Sequence, residues 1–177
     1  MKRYIRSSTN YAPGTAKKLA QAVIQYLTDL GLKNVHTSFG SYGRKAGYQS
    51  AGVEFRYMFN DYDEERTNQH VEFLMNRSER YPTREAALEF INVPAKRAAY
   101  QNFLKLQELY GPAGTEAGHD PFRHTGGGFP NLDNALKADI DAYLHDLGYT
   151  DATTVLSCSG LHTIEEDFCI YIYLPKN

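Results

Sequence analysis

The chain has 177 residues, 42% of them hydrophobic and 23% charged, with a formal net charge of −2 at pH 7. That composition is globular and suits one compact domain or two small fused ones. No stretch approaches the roughly 18 consecutive apolar residues that a helical membrane span needs.

Lys2–Ser7 alternates apolar and polar residues and predicts a short strand. Ser8–Gly14 is turn-rich, and Thr15 is placed to cap a helix running to about Leu30. Leu19, Val23, Tyr26, Leu27 and Leu30 share one face of that helix at helical spacing. Gly31 stands where a left-handed residue ends a helix. Val35–Gly40 predicts a strand. Val53, Phe55, Tyr57 and Phe59 alternate with Glu54, Arg56 and Met58, the period of a half-buried strand. Gly43–Gly52 is the hairpin loop between these strands.

Asn60–Gln69 is polar and acidic and predicts a loop. His70–Met75 alternates and is expected to pair with Val53–Phe59 as a strand. Thr83 caps a short helix to about Ile91, and Pro94 interrupts. Ala95–Tyr110 predicts a second helix with Ala99, Phe103, Leu106 and Tyr110 on one side. Gly111–Asp120 is rich in Gly and Pro and reads as a linker.

The order of the first segment then returns. Phe122–Thr125 matches the first strand, and Gly126–Pro130 the loop. Asn131 is a plausible cap, and Leu136, Ile140, Tyr143, Leu144 and Leu147 repeat the apolar face up to Gly148. Thr153–Ser157 and Phe168–Leu174 predict the hairpin. Residues 4–43 align without a gap onto 121–160 at a constant offset of 117. The identities are Arg6/Arg123, Pro13/Pro130, Leu19/Leu136, Tyr26/Tyr143, Leu27/Leu144, Asp29/Asp146, Leu30/Leu147, Gly31/Gly148, Thr37/Thr154 and Gly43/Gly160. An internal repeat is the strongest single constraint on a fold reading. The expected fold is α+β: two repeated βαββ units, each an antiparallel sheet with one packed helix, related by pseudo-twofold symmetry with a helical insert between them. The expected divisions are a basic unit at 1–60, a strand, two helices and a linker at 61–117, and an acidic unit at 118–177.

The copies differ in sign. Residues 1–60 hold nine Lys/Arg and two Asp/Glu, residues 61–117 seven and ten, and residues 118–177 three and nine. Such asymmetry bears on partners rather than on fold. Lys17 and Lys18 lie in the first helical turn, where positive charge opposes the helix dipole. The second copy has Asp133 and Asn134 there. Together with Lys2, Arg3, Arg6, Arg44, Lys45 and Arg56 they define a basic face suited to a nucleic-acid backbone. Tyr4, Tyr11, Tyr42 and Tyr48 are candidate stacking platforms. The plainer alternative is a solvated face that neutralises the acidic copy. Asp139, Asp141, Asp146, Glu165 and Glu166, with Asp151 and Asp167, give an acidic face. It could meet the basic copy, within the chain or across a homodimer, or present phosphate-like charge to a basic groove on another protein. Ordinary surface carboxylates are the plainer reading there.

Catalytic signals are weak. Thr125–Gly128 precedes a helix but lacks the context of a P-loop or a dinucleotide fingerprint. Among the histidines at 36, 70, 119, 124, 145 and 162 no pair has zinc-finger spacing, so no metal or cofactor is expected. Cys158 and Cys169 are the two cysteines and fall in two strands of one predicted hairpin. A bridge between them is geometrically possible; two buried thiols are the plainer reading. No residue stands out as a nucleophile, and the chain reads as a binding protein rather than an enzyme. Fourteen tyrosines and no tryptophan favour macromolecular contact over a buried small-molecule pocket. No apolar run follows the basic start, so a cytoplasmic location is expected.

The opening Met1-Lys2-Arg3-Tyr4-Ile5-Arg6-Ser7-Ser8, with the Tyr-rich composition, resembles small proteins carried by phages and mobile elements of Gram-positive bacteria, anti-CRISPR inhibitors among them. The resemblance implies a non-catalytic inhibitor docking on a nucleic-acid-handling enzyme. A direct DNA- or RNA-binding module using the basic copy is the alternative, and a small nuclease is third.

Overall fold

The computed structural model of the chain describes residues 10–38, 45–111, 130–157 and 165–176. In chain order these hold α1 (Thr15–Asp29), β1 (His36–Thr37), β2 (Tyr48–Met58), α2 (Glu64–Arg77), α3 (Arg84–Ile91), α4 (Val93–Tyr110), α5 (Pro130–Asp146), β3 (Thr153–Leu156) and β4 (Glu165–Pro175). The strands form one antiparallel sheet in the order β1-β2-β4-β3. The protein is therefore α+β, as its hydrophobic periods predict. Both predicted first strands, Lys2–Ser7 and Phe122–Thr125, lie outside the described residues.

The two central strands carry the core. Val53, Phe55 and Tyr57 of β2 and Phe168, Ile170, Ile172 and Leu174 of β4 are fully buried on one face. Phe55 and Phe168 are directly opposed in register and stack at 5.0 Å between ring centroids. Leu19, Val23 and Leu27 of α1, Phe103 and Leu106 of α4, and Leu136, Ile140 and Leu144 of α5 cover this face as one cluster. Each of these helices presents its apolar residues at i, i+3/i+4 and i+7 or i+8, a stripe that only a sheet face or another helix can bury. On the opposite face Cys169, Tyr171 and Tyr173 are also buried.

The spacing of 117 recurs in the strands and helix ends. Displaced by 117, Tyr48–Met58 becomes Glu165–Pro175, the whole of β4. In the β2–β4 ladder Val53 pairs with Ile170, its own counterpart, and the ladder extends five residues to each side. Both helices end on a glycine with positive φ, Gly31 at 103° and Gly148 at 96°. Leu32 N donates to Leu27 O and Tyr149 N to Leu144 O, closing the same C-terminal turn twice. The hairpin registers differ. His36 faces Glu54, whereas Thr153 faces Tyr173, a shift of two residues that keeps every side chain on its face.

Several local expectations are corrected. His70–Met75 is no strand; it belongs to α2. Asp63 caps that helix by accepting from Arg66 N at 2.8 Å, and Glu64 and Glu65 suit its first turn. The alternation of Val71, Phe73 and Met75 competes there with Thr67, Val71 and Leu74 at helical spacing. The helical set is the buried one, while Phe73 and Met75 are exposed. Much of the predicted loop Asn60–Gln69 is the start of the same helix. Gly14, not Thr15, is the N-cap of α1. Gln49 of β2 supplies the missing side-chain cap: its Oε1 accepts from Ala16 N at 2.9 Å, and its Nε2 donates to Ala12 O. Within the predicted strand Val35–Gly40 only His36–Thr37 pairs; Phe39 and Gly40 lie outside the described residues. Asn131 lies inside α5, which begins at Pro130. Leu147 falls just past α5 and is exposed, and Met58 is buried in a second cluster.

That second cluster is the core of the insert: Met58, Tyr62, Val71, Leu74, Ala87, Ile91 and Ala99. Thr83 caps α3, accepting from Ala86 N, as its sequence predicts. Asn92 ends α3 in the left-handed region and starts α4, with Pro94 in the first turn where no N–H is needed. Helix α4 joins the two clusters, with Ala99 in one and Phe103 and Leu106 in the other.

Candidate functional site

The predicted basic face divides between two places. Lys17 and Lys18 are exposed in the first turn of α1. Lys45 lies close to the same end of the molecule, its Nζ 4.2 Å from the Tyr48 ring centroid. Arg56 stands eight residues further along β2, about 26 Å at strand rise. Its Nε donates to Asp167 Oδ1 at 2.8 Å across the β2–β4 ladder. Lys2, Arg3, Arg6 and Arg44 lie outside the described residues, as do Tyr4 and Tyr42.

The predicted acidic face is partly committed to internal contacts. Asp139 accepts from the Tyr110 hydroxyl. Burial, then that hydrogen bond and charge, push the Tyr110 pKa well up. Asp141 accepts from Lys137 Nζ at 2.8 Å and from Thr154 Oγ1. Asp133 is buried at the start of α5 and accepts from the Tyr57 hydroxyl at 3.2 Å. Asp146 is exposed in the last turn of α5. The backbones of Glu165 and Glu166 pair with Met58 and Tyr57; their side chains lie outside the described residues.

The cavity with the richest chemistry lies elsewhere. β1 pairs only with Val53 and Glu54, so the edge of β2 beyond them has no strand beside it in the described sheet. Helix α4 runs past that edge. Asn102 is buried there and fastens the two: its Oδ1 accepts from Lys33 N, and its Nδ2 donates to Lys33 O and Arg56 O. The cleft left between them has a volume of about 460 Å³ and is lined by His36, Arg56, His70, Phe90, Lys96 and Asn102, among others.

Each lining group has a determined setting. His36 faces the Asn34 carbonyl with Nδ1 at 2.9 Å and Glu54 Oε1 with Nε2 at 2.8 Å. Both partners are hydrogen-bond acceptors. Asn34 itself has a φ of +57°, a conformation Asn tolerates better than most residues. His70 comes from α2, its Nδ1 2.8 Å from the Tyr62 hydroxyl. Burial first, and the Lys96 charge second, lower the His70 pKa from its ordinary value. Phe90 is 58% exposed at the rim, its ring tilted against Tyr81 at 4.9 Å. The cleft thus gathers an arginine, a lysine and two imidazoles beside an exposed aromatic ring. Such a lining attracts anions.

Sequence reading missed this site. Lys96, Phe90 and Asn102 carried no signal, and His70 was placed on a strand. Only Arg56 belonged to both readings. Elsewhere, Cys169 is a buried thiol whose pKa is pushed up, chiefly by burial. Its neighbour Ser38 lies 3.1 Å from the Tyr171 hydroxyl. A raised thiol is the opposite of an activated nucleophile. Among the described residues no three His, Cys, Asp or Glu side chains are grouped to hold a metal ion. His119, His124, His162, Cys158 and the Gly126–Gly128 loop lie outside them. No helix among the described residues is long and apolar enough to cross a membrane. Comparison with models of protein families, with curated proteins and with solved structures finds no match to this chain.

Proposed function

We propose that the chain is a duplicated βαββ unit whose pseudo-twofold axis passes through the Val53–Ile170 pair. We propose further that it is a non-catalytic binding protein that docks on a nucleic-acid-handling enzyme and inhibits it. The observation that carries the docking reading is the insert. It has its own small core, yet it leaves Phe73 55% and Met75 40% exposed on α2. Large apolar side chains held outside a helix that already buries Val71 and Leu74 are what a protein partner covers. Arg77 lies over the Phe73 ring, 5.4 Å from its centroid, an Arg–aromatic pair of the type that recurs at contact hot spots.

The unlike charges of the two units already meet inside the chain, along β2–β4, with Arg56 on Asp167. Self-association is therefore not needed to pair them. The internal engagement of Asp139 and Asp141 also weakens the idea of a phosphate-mimicking face. A tagged chain should capture a nuclease or similar enzyme from a bacterial lysate, and adding the chain should lower that enzyme's activity. Phe73→Ser with Met75→Ser should abolish both effects. Capture and inhibition that survive these substitutions would overturn this reading.

Direct binding of nucleic acid is the second reading, and the cation-lined cleft favours it. An electrophoretic shift with DNA and RNA at two salt concentrations separates the two, because phosphate contacts weaken steeply with salt.

A further inference from the structure

We infer that the cleft between the β2 edge and α4 is a binding site for a phosphate ester of the nucleotide type, with the phosphate held by Arg56 and Lys96 and the base stacked on Phe90. The inference stands independently of the docking reading, because it uses a different surface. Three observations converge on it. The cleft volume, about 460 Å³, falls within the range of small-ligand sites. The charge-bearing groups that line it are cationic or imidazole: His36, Arg56, His70 and Lys96. The two carboxylates beside it are each paired with one of these groups, Glu54 meeting His36 Nε2 and Asp167 meeting Arg56 Nε. That pairing orients the Arg56 guanidinium, and the side chain is 60% exposed to solvent.

The arrangement also suits the rest of a nucleotide. Lys96 and His70 both line the cleft, and the Lys96 charge acts on the His70 ring. The Phe90 ring is exposed at the rim and steadied by Tyr81, the setting of a stacking platform. Asn102 fixes the floor by tying α4 to the backbone of Lys33 and Arg56, so the cationic groups come from braced elements.

The test is calorimetric titration of the full chain with adenosine monophosphate, inorganic phosphate and a short single-stranded oligonucleotide at low salt. Saturable binding of the nucleotide at one site is expected, displaced by excess phosphate. Lys96→Gln and Arg56→Gln should each weaken it about tenfold or more, the effect of losing one charge-assisted hydrogen bond. Phe90→Ala should weaken the nucleotide but leave inorganic phosphate unchanged, which a structural defect would not do. Lys17→Gln, at the other end of the molecule, should leave all three affinities unchanged. Tighter binding of the nucleotide identifies a free nucleotide as the ligand, and tighter binding of the oligonucleotide identifies a nucleic-acid phosphate. No saturable binding of any of the three would overturn the assignment. So would binding that Lys96→Gln and Arg56→Gln both leave intact in variants with an unchanged circular dichroism spectrum.

Discussion

The rings of Tyr26 and Tyr143 stack with centroids 4.5 Å apart and planes 10° from parallel, and the two residues stand 117 positions apart. Two residues that the 117-residue offset aligns thus rest on each other, one from α1 and one from α5. Burial, then Asp139 and Tyr143, raise the Tyr26 pKa, as expected of a phenol held against a carboxylate and a second ring. A double-mutant cycle with Tyr26→Ala and Tyr143→Ala should give a coupling of about 0.5–1.5 kcal/mol, the range for aromatic pairs. Phe at either position should preserve it. Additive losses in urea unfolding would show that the rings do not support each other.

The helix faces should respond alike in both halves. Leu27 and Leu144 are fully buried in one core, so replacing either with Ala should cost about 2–5 kcal/mol. Leu147→Ala should cost little, because that side chain is 46% exposed. Chemical denaturation of the three variants makes the comparison. A large loss at Leu147 would place that residue in an unrecognised contact.

Asn102 offers a sharper test, because it is polar and 1% exposed. Removing its amide orphans the Lys33 N–H and the Lys33 and Arg56 carbonyls together. A buried group left without a partner costs about 1–3 kcal/mol, and these three, being partly buried, each cost up to that. Asn102→Ala should therefore destabilise at least as strongly as one of the leucine truncations, and Asn102→Asp should too, since a carboxylate cannot donate to two carbonyls. Amide hydrogen exchange should quicken at Lys33. Unchanged exchange there would mean that the amide does not hold this junction.

Much of this architecture was legible because α1, β2, α4, α5 and β4 each carry one strong hydrophobic period. Helix α2 was misread where two periods coincide: Val71 belongs to both, and only burial of Leu74 rather than Phe73 decides between them. The cap on α1 was illegible for another reason. Gln49 lies 33 residues after Ala16, whose N–H it accepts, and a glutamine on a strand carries no capping signature. The cleft is the extreme case. Its groups come from β1, from β2, from α2 and from α3 and α4, and the Asn102 bridge together with the packing of the second cluster brings them to one edge. Local pattern has no access to such a meeting. The charge blocks of the sequence were real, but Lys45 and Arg56 share one block and stand at opposite ends of one strand.

Acidification should destabilise the protein through His70. Burial, with Lys96 as the second cause, holds its pKa below the ordinary 6.5, so the folded state binds this proton less readily than the unfolded state. Between the two pKa values the unfolded chain carries the extra proton, and stability rises with pH. The contribution is thus present above about pH 6.5 and is lost as pH falls from there toward the folded value. Tyr62 meets the ring and Lys96 acts on it, and neither supplies a negative charge to reverse the sign. His70→Gln should remove this component. The stability difference between wild type and variant should therefore change between about pH 7.5 and pH 5.5 in favour of the variant at the lower pH. A difference that does not vary with pH would refute the assignment.

The last prediction concerns the basic end of α1. Lys17 and Lys18 are exposed in a first turn that holds no acidic residue, so their charges oppose the helix dipole. The cap does not depend on them, because Gln49 Oε1 serves Ala16 N from the sheet. Lys17→Glu with Lys18→Glu should raise stability by about 0.3–1 kcal/mol for each reversed charge, and the gain should shrink as salt is added. Nucleotide binding in the cleft should not change, since Arg56 and Lys96 lie at the other end of the molecule. Function then separates two uses of the same lysines. If they face a nucleic acid or an enzyme, the reversed protein is more stable and yet loses capture or gel-shift activity. A variant that gains stability and keeps full activity shows that this end is only a solvated face. A variant that loses stability contradicts the dipole argument, because no described contact of either lysine would account for the loss.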